Sequence, residues 1–110
     1  MNTLRNKVQL IGNLGNDPEI INLESGKTLA KFSIATNESY TNSKGEKVTD
    51  TQWHNVVAWG KTAQIIEKYV TKGKEVAIEG KLTNRSYDTK EGEKRFITEI
   101  VCNELMMLGK

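Results

Sequence analysis

Sixteen lysines and arginines against fourteen acidic residues leave this 110-residue chain with a formal charge of only +2. The length suits one compact domain, 1–110, and no appended catalytic domain is expected within it. Hydrophobic residues make up 36% and charged residues of both signs 27%, which excludes a disordered polyelectrolyte; the placement of the basic side chains, not their total, must speak for any anionic partner.

Residues 1–7 lack the apolar stretch of a secretion signal, so a cytoplasmic chain is the expectation. From Lys7 to Leu14, Val8 and Leu10 share one face of a first strand and Ile11 takes the other. Gly15-Asn16-Asp17-Pro18 follows as a turn cluster and holds the only proline. A second strand carries Ala30, Phe32 and Ile34 in alternation with Lys31 and Ser33. Thr41 to Asp50 reads as a mobile polar hairpin loop, and a third strand runs from Thr51 to Trp59.

The period then changes. Ala63, Ile66, Tyr69 and Val70 recur at three-to-four spacing and predict an amphipathic helix over Thr62–Thr71, with Thr62 as N-cap and Gly73 as its stop. A fourth strand follows from Glu75 to Tyr87, with Val76, Ile78, Gly80 and Leu82 inward and Lys81, Thr83, Arg85 and Tyr87 on the open face. Asp88 to Lys94 is a second mobile loop, and the last strand starts near Arg95 with Phe96, Ile100 and Cys102 on one parity. Gly12, Gly15, Gly60 and Gly80, in or beside strands, mark bulges or bends. The whole predicts an all-β fold, a five-stranded Greek-key barrel of the oligonucleotide-binding (OB-fold) type with one short α-helix between strands 3 and 4.

Little in the chain suggests catalysis. Cys102 is the only cysteine, so no intrachain disulfide forms, and its apolar surroundings predict a buried inert thiol. His54 is the only histidine; it has no nucleophile-and-base partners, and no Cys/His cluster or phosphate-cradling glycine loop occurs. No enzyme, metal or cofactor is expected. Asp50, Glu79 and Glu99 read as solvated strand charges, and no stretch approaches the roughly 18 apolar residues of a membrane span.

The binding chemistry lies on the strands. Trp53 and Trp59, six residues apart, fall on one face of an unbroken strand. Beside them the open face of the fourth strand mixes Lys81 and Arg85 with Tyr87. Aromatic rings stack on the face of any base, and cations neutralise phosphates whatever the sequence, so the mixture suits single-stranded nucleic acid. Core or interface packing accounts for strand aromatics as well, and this alternative stays open on pattern alone. Tyr40 poses an objection, because a straight strand would give it the inward face of Phe32 and Ile34 unless a bulge or strand end intervened.

Blocks spread over the chain carry a resemblance. Asn6-Lys7-Val8-Gln9-Leu10-Ile11-Gly12-Asn13-Leu14-Gly15-Asn16-Asp17-Pro18-Glu19, Phe32 to Tyr40, Thr51-Gln52-Trp53-His54-Asn55-Val56-Val57 and Trp59-Gly60-Lys61-Thr62-Ala63 are four of them. Tyr69 to Gly73, Ile78 to Leu82 and Thr98 to Val101 continue the series. In order and spacing they resemble the bacterial single-stranded DNA-binding proteins, from Asn6 to Leu108. The resemblance implies base stacking at Tyr40, Trp53, Trp59 and Tyr87, with Tyr40 exposed. It makes Lys7, Lys61, Lys72, Lys74, Lys81 and Arg85 the expected phosphate contacts, with Lys61, Lys81 and Arg85 foremost.

The same resemblance implies a structural His54 near a subunit contact, a first strand pairing across a dimer interface, and a homotetramer wrapped by DNA. It implies coating of single strands in replication, recombination and repair, in a cytoplasmic, nucleoid-associated setting. Family members usually continue into a flexible linker and an acidic tip that recruits replication and repair proteins. This chain ends at Leu108-Gly109-Lys110 with no acidic tip, as a trimmed or a naturally short form would, so replication and repair proteins stay possible partners while recruitment through a tail is left open. A tail-less primosomal adaptor of the same fold, dimeric and protein-binding, is the alternative; the full aromatic set suits it poorly.

Overall fold

The computed structural model describes residues 3–108; the extremities of the expected 1–110 domain, residues 1–2 and 109–110, lie outside the described residues. A 3-10 turn, Thr3–Asn6, leads into β1 (Val8–Leu14), β2 (Glu19–Asn22), β3 (Thr28–Thr41) and β4 (Lys47–Trp59). The helix α1 (Gly60–Tyr69) separates these from β5 (Glu75–Asp88) and β6 (Lys94–Met107). The sheet order is β1-β5-β6-β4-β3-β2, and β1 also pairs with β3 through Asn13 opposite Ala35 and Leu14 opposite Ile34. That last pairing closes β1, β5, β6, β4 and β3 into the five-stranded barrel the alternation predicts. All neighbours run antiparallel except β4 and β6, which are parallel over Val56 to Ala58.

One parity of each strand fills the barrel. Phe32 and Ile34 of β3, Val56 and Ala58 of β4, Val76 and Ile78 of β5, and Ile100 and Cys102 of β6 are buried. Ala63, Ile66 and Val70 close one end as the apolar stripe of α1. At the tightest strand approach Gly80 leaves no room for a side chain, since an added Cβ would run into the Val101 carbonyl. A bulge lies at the same place: Gly80 pairs with Cys102 but Glu79 with Glu104, leaving Asn103 as the extra residue.

Several sequence expectations are corrected. The short strand β2 was not foreseen, because four residues after a turn cluster hold too little alternation to show one. The helix starts at Gly60 with extended Trp59 as its cap and no side-chain capping bond, so Thr62 lies inside the first turn. Gly60, at φ 62°, lets the chain leave β4 directly into the helix. The helix stops at Tyr69, which is exposed, and Gly73 belongs to the following turn, where Lys74 N–H donates to the Thr71 carbonyl.

The expected loop Thr41 to Asp50 is mostly strand. β3 and β4 stay in register out to Thr41 opposite Lys47, leaving only 42–46 as loop, with the Asn42 side chain accepting from Lys44 and Glu46 N–H. Polar residues extend this ladder, as in the Thr51 hydroxyl donating to Asn37 Oδ1 at 2.7 Å. They carry no hydrophobic alternation, which is why the pattern hides the strand. The second loop is close to expectation, with Asp88 opposite Lys94 as the last pair.

Leu82 and Phe96 hold the inward parity but are 46% and 75% exposed. β1 leaves β5 at Gly80, and β6 meets β4 only from Ile100 onward, so among the described residues no continuous ladder closes over these side chains. Tyr40 is half-exposed for the same reason. The β3–β4 register contains no bulge, yet beyond Ala35 β3 has lost β1 as a neighbour and projects as an arm.

Candidate nucleic-acid interface

The outward parity of the sheet assembles the candidate site row by row, because residues directly opposite on paired strands point to the same side. Lys81 lies opposite Val101, Val101 beside Val57, and Val57 opposite Lys31, so one row across four strands has a lysine at each end. The next row places Thr83 opposite Glu99 and Asn55 opposite Ser33. The third places Arg85 opposite Ile97 and Trp53 opposite Ala35. Between the two hairpins these rows floor a groove of about 290 Å³ lined by Asn16, Glu19, Lys31, Ser33, Asn55, Arg85, Ile97 and Glu99 among others.

Trp53 and Trp59 share this outer side, as their spacing predicts, and are 61% and 45% exposed. A strand rise of about 3.4 Å per residue puts them roughly 20 Å apart along β4. The Trp53 ring lies against Gly15, where any added Cβ would strike it. Tyr87 continues the open face of β5 beyond Arg85 and is half-exposed. Tyr40 is exposed on the other side of its ribbon, on the parity of Ile34, and does not join this face.

The basic residues divide. Lys81 stands exposed at one end of the lysine row, and Lys61 is exposed in the first turn of α1, two residues past Trp59. Lys72 is exposed in the turn after the helix, with its backbone N–H held by Asp17 Oδ1 at 2.8 Å; Lys74 is half-buried just before β5. Lys7 lies elsewhere, 3.5 Å from Glu79 at the start of β1. Arg85 donates from Nε to Glu99 Oε1 at 2.8 Å and from Nη2 to Oε2 at 3.3 Å. Those bonds, with the carboxylate's charge, raise the Arg85 pKa above its ordinary value.

Glu99 is buried and paired, which corrects its reading as a solvated charge: it lies opposite Thr83 of β5, one residue before β6 meets β4, and is held by Arg85. Asp50 is exposed, and Glu79 is half-buried between Lys7 and the Gln9 amide. Lys31, Ser33, Asn55 and Asn16 are lining residues that sequence reasoning did not single out. Alternation put Lys31 outward, but only the pairing of β3 with β4, and of β4 with β6, aligns it with Lys81. His54 is half-buried, with Nε2 at 3.0 Å from the Thr36 hydroxyl.

On the far side of the barrel, Gln9, Ile11, Ala77, Glu79 and Met106 border a second groove of about 650 Å³. Ile11 and Met106 are 59% and 64% exposed there.

The model of the single-strand binding protein family matches residues 5–108. The chain belongs to that family. Among similar members, the single-stranded DNA-binding protein 1 of Chlorobaculum tepidum is 50% identical over 105 residues, covering 94% of this chain and 65% of that protein. The single-stranded DNA-binding protein of Neisseria meningitidis serogroup A is 42% identical over 104 residues, covering 94% and 60%. The chain therefore spans a little under two thirds of these family members. In three dimensions the Plasmodium falciparum SSB in its complex with ssDNA superposes with a TM-score of 0.88 at 34% identity, covering 94% of this chain and 95% of that one. A barrel of this family, with one helix between its third and fourth barrel strands, is the fold expected from the alternation.

Proposed function

We infer that this chain is an OB-fold domain that binds single-stranded DNA without reading its sequence. The observation that carries this reading is the exposure of both tryptophans on the outer side of β4, with lysines on the strands around them. Burying two indoles would have added to a modest core; leaving them in water costs that gain and suits stacking on bases, each contact being worth about 1–3 kcal/mol. Duplex DNA hides its base faces, so such a platform favours single strands. Tyr87 extends the platform along one arm, and Tyr40 offers a further ring on the other. Lys31, Lys61, Lys72, Lys74 and Lys81 are the phosphate contacts on this reading, whereas Lys7 serves the β1–β5 edge.

The names of the similar family members support the same reading, as does the solved complex with ssDNA at 34% identity. The role that follows is coating of exposed strands in replication, recombination and repair, in the cytoplasm with the nucleoid. The apolar β1–β5–β6 groove, with Ile11 and Met106 exposed, is the surface for assembly with copies of the chain into a homotetramer. Titration with oligo-dT while tryptophan emission is followed tests the binding. Quenching that duplex competitor does not relieve is expected; absence of quenching at low salt would refute it. Sedimentation tests the tetramer, and a dimer would favour the protein-binding adaptor.

A further inference from the structure

The Arg85–Glu99 pair changes what the middle of the groove can recognise. Four charged side chains line that groove, Lys31 and Arg85 against Glu19 and Glu99, and their formal charges cancel. The rest of the lining is amide, hydroxyl and apolar: Ser33 lies opposite Asn55, and its hydroxyl donates to Asn16 Oδ1 at 3.0 Å. A groove for a phosphate would carry net positive charge. Glu99 is only 8% exposed, and the two Arg85 bonds tie its carboxylate to the guanidinium. A buried carboxylate under a phosphate would repel it, so its presence needs another purpose.

We propose that Glu99 is a positioning and charge-setting residue, holding Arg85 so that it hydrogen-bonds a nucleobase, not a phosphate, in this groove. Arginine has five N–H donors in a fixed plane. Glu99 takes the Nε edge, and the Arg85 side chain, still 50% exposed, keeps the remaining Nη donors for the strand. Those donors suit the carbonyl oxygens on a base edge, O2 or O4 of thymine among them, a contact that several bases can make. Because the pair is neutral, it releases no net counterion when DNA arrives. Phosphate neutralisation is left to the surrounding lysines.

This inference rests on the single-stranded DNA reading, and one experiment separates the two. Binding of oligo-dT and of an abasic deoxyribose-phosphate strand of equal length is measured between 50 and 500 mM salt for the parent, Glu99→Gln and the double variant Arg85→Gln/Glu99→Gln. Failure of the parent to bind oligo-dT would sink the parent reading itself. If the parent binds, Glu99→Gln should steepen its salt slope by about 0.7, since it frees one cation, and so change the affinity ratio across that tenfold range by about fivefold. The double variant should keep the parent slope, lose about tenfold in affinity for oligo-dT, and bind the abasic strand as the parent does. Equal losses for both strands, or a slope about 0.7 shallower in the double variant, would place Arg85 on a phosphate and overturn the proposal. A Glu99→Gln slope equal to that of the parent would overturn it too. Thermal unfolding of each variant confirms that the fold is intact, and the unequal loss on the two strands is a readout that a merely structural role for the pair would not produce.

Discussion

Ile34 and Tyr40 sit six residues apart on the same strand, with the same parity and an unbroken register to β4, yet one is fully buried and the other half in water. The same contrast separates Ile100 from Phe96 on β6. In the barrel a residue of that parity faces four other strands; in the arms no continuous ladder among the described residues closes over it, because β1 has already parted from β3 and β5. Alternation therefore assigns a side, and burial follows only where another layer covers that side. The arms are continuations of core strands held by backbone pairing and short polar bridges such as the Thr98 hydroxyl to Asn84 Oδ1. They reach beyond the core and leave aromatic rings free.

The largest test of that contrast is stability. Ile34→Ala should cost about 2–5 kcal/mol in urea unfolding, as a cavity in a closed core does. Tyr40→Ala should cost less than about 0.5 kcal/mol, as an exposed substitution does. A Tyr40 cost approaching that of Ile34 would mean that another layer covers the arm.

Affinity sharpens the contrast next. Trp53→Ala and Trp59→Ala should each weaken oligo-dT binding by about 1–3 kcal/mol with little change in unfolding. Unchanged affinity in both would remove β4 from the binding face.

The lysine row offers a smaller, electrostatic test. Lys81→Ala and Lys31→Ala should each make the salt slope of binding shallower by about 0.7. Lys7→Ala, on the Glu79 side of the barrel, should leave it nearly unchanged, and an equal effect at Lys7 would spread the DNA path around the molecule.

The smallest effect concerns the core itself. Burial pushes the Cys102 thiol from 9.0 up to about 11, and the thiol donates to the Glu104 carbonyl oxygen at 3.2 Å, a bond that only the protonated sulfur can make. The folded chain holds that proton more tightly than the unfolded one. Its contribution to stability is therefore whole below pH 9 and is lost as pH rises through about 11. The urea midpoint of the parent should fall more steeply over that window than that of Cys102→Ala, and parallel curves would show the thiol to be open to water.

Much of this was legible in the chain. Period-two alternation located the five barrel strands, the change to three-to-four spacing located the helix, and the spacing of Trp53 and Trp59 put them on one side. Each of these depends on neighbours within a few residues, where side-chain direction follows backbone geometry directly. The hairpin arms were not legible, because polar strands such as 36–41 and 47–52 pair through their backbones and leave no hydrophobic rhythm. Nor were the exposure of Leu82 and Phe96, the burial of Glu99, or the alignment of Lys31 with Lys81. Those depend on which strand lies beside or above another, and in this barrel the deciding pairs, β1 with β3, β1 with β5 and β4 with β6, join residues far apart in the chain. Local sequence set the direction of each side chain, and the closure of the barrel decided what each one would meet.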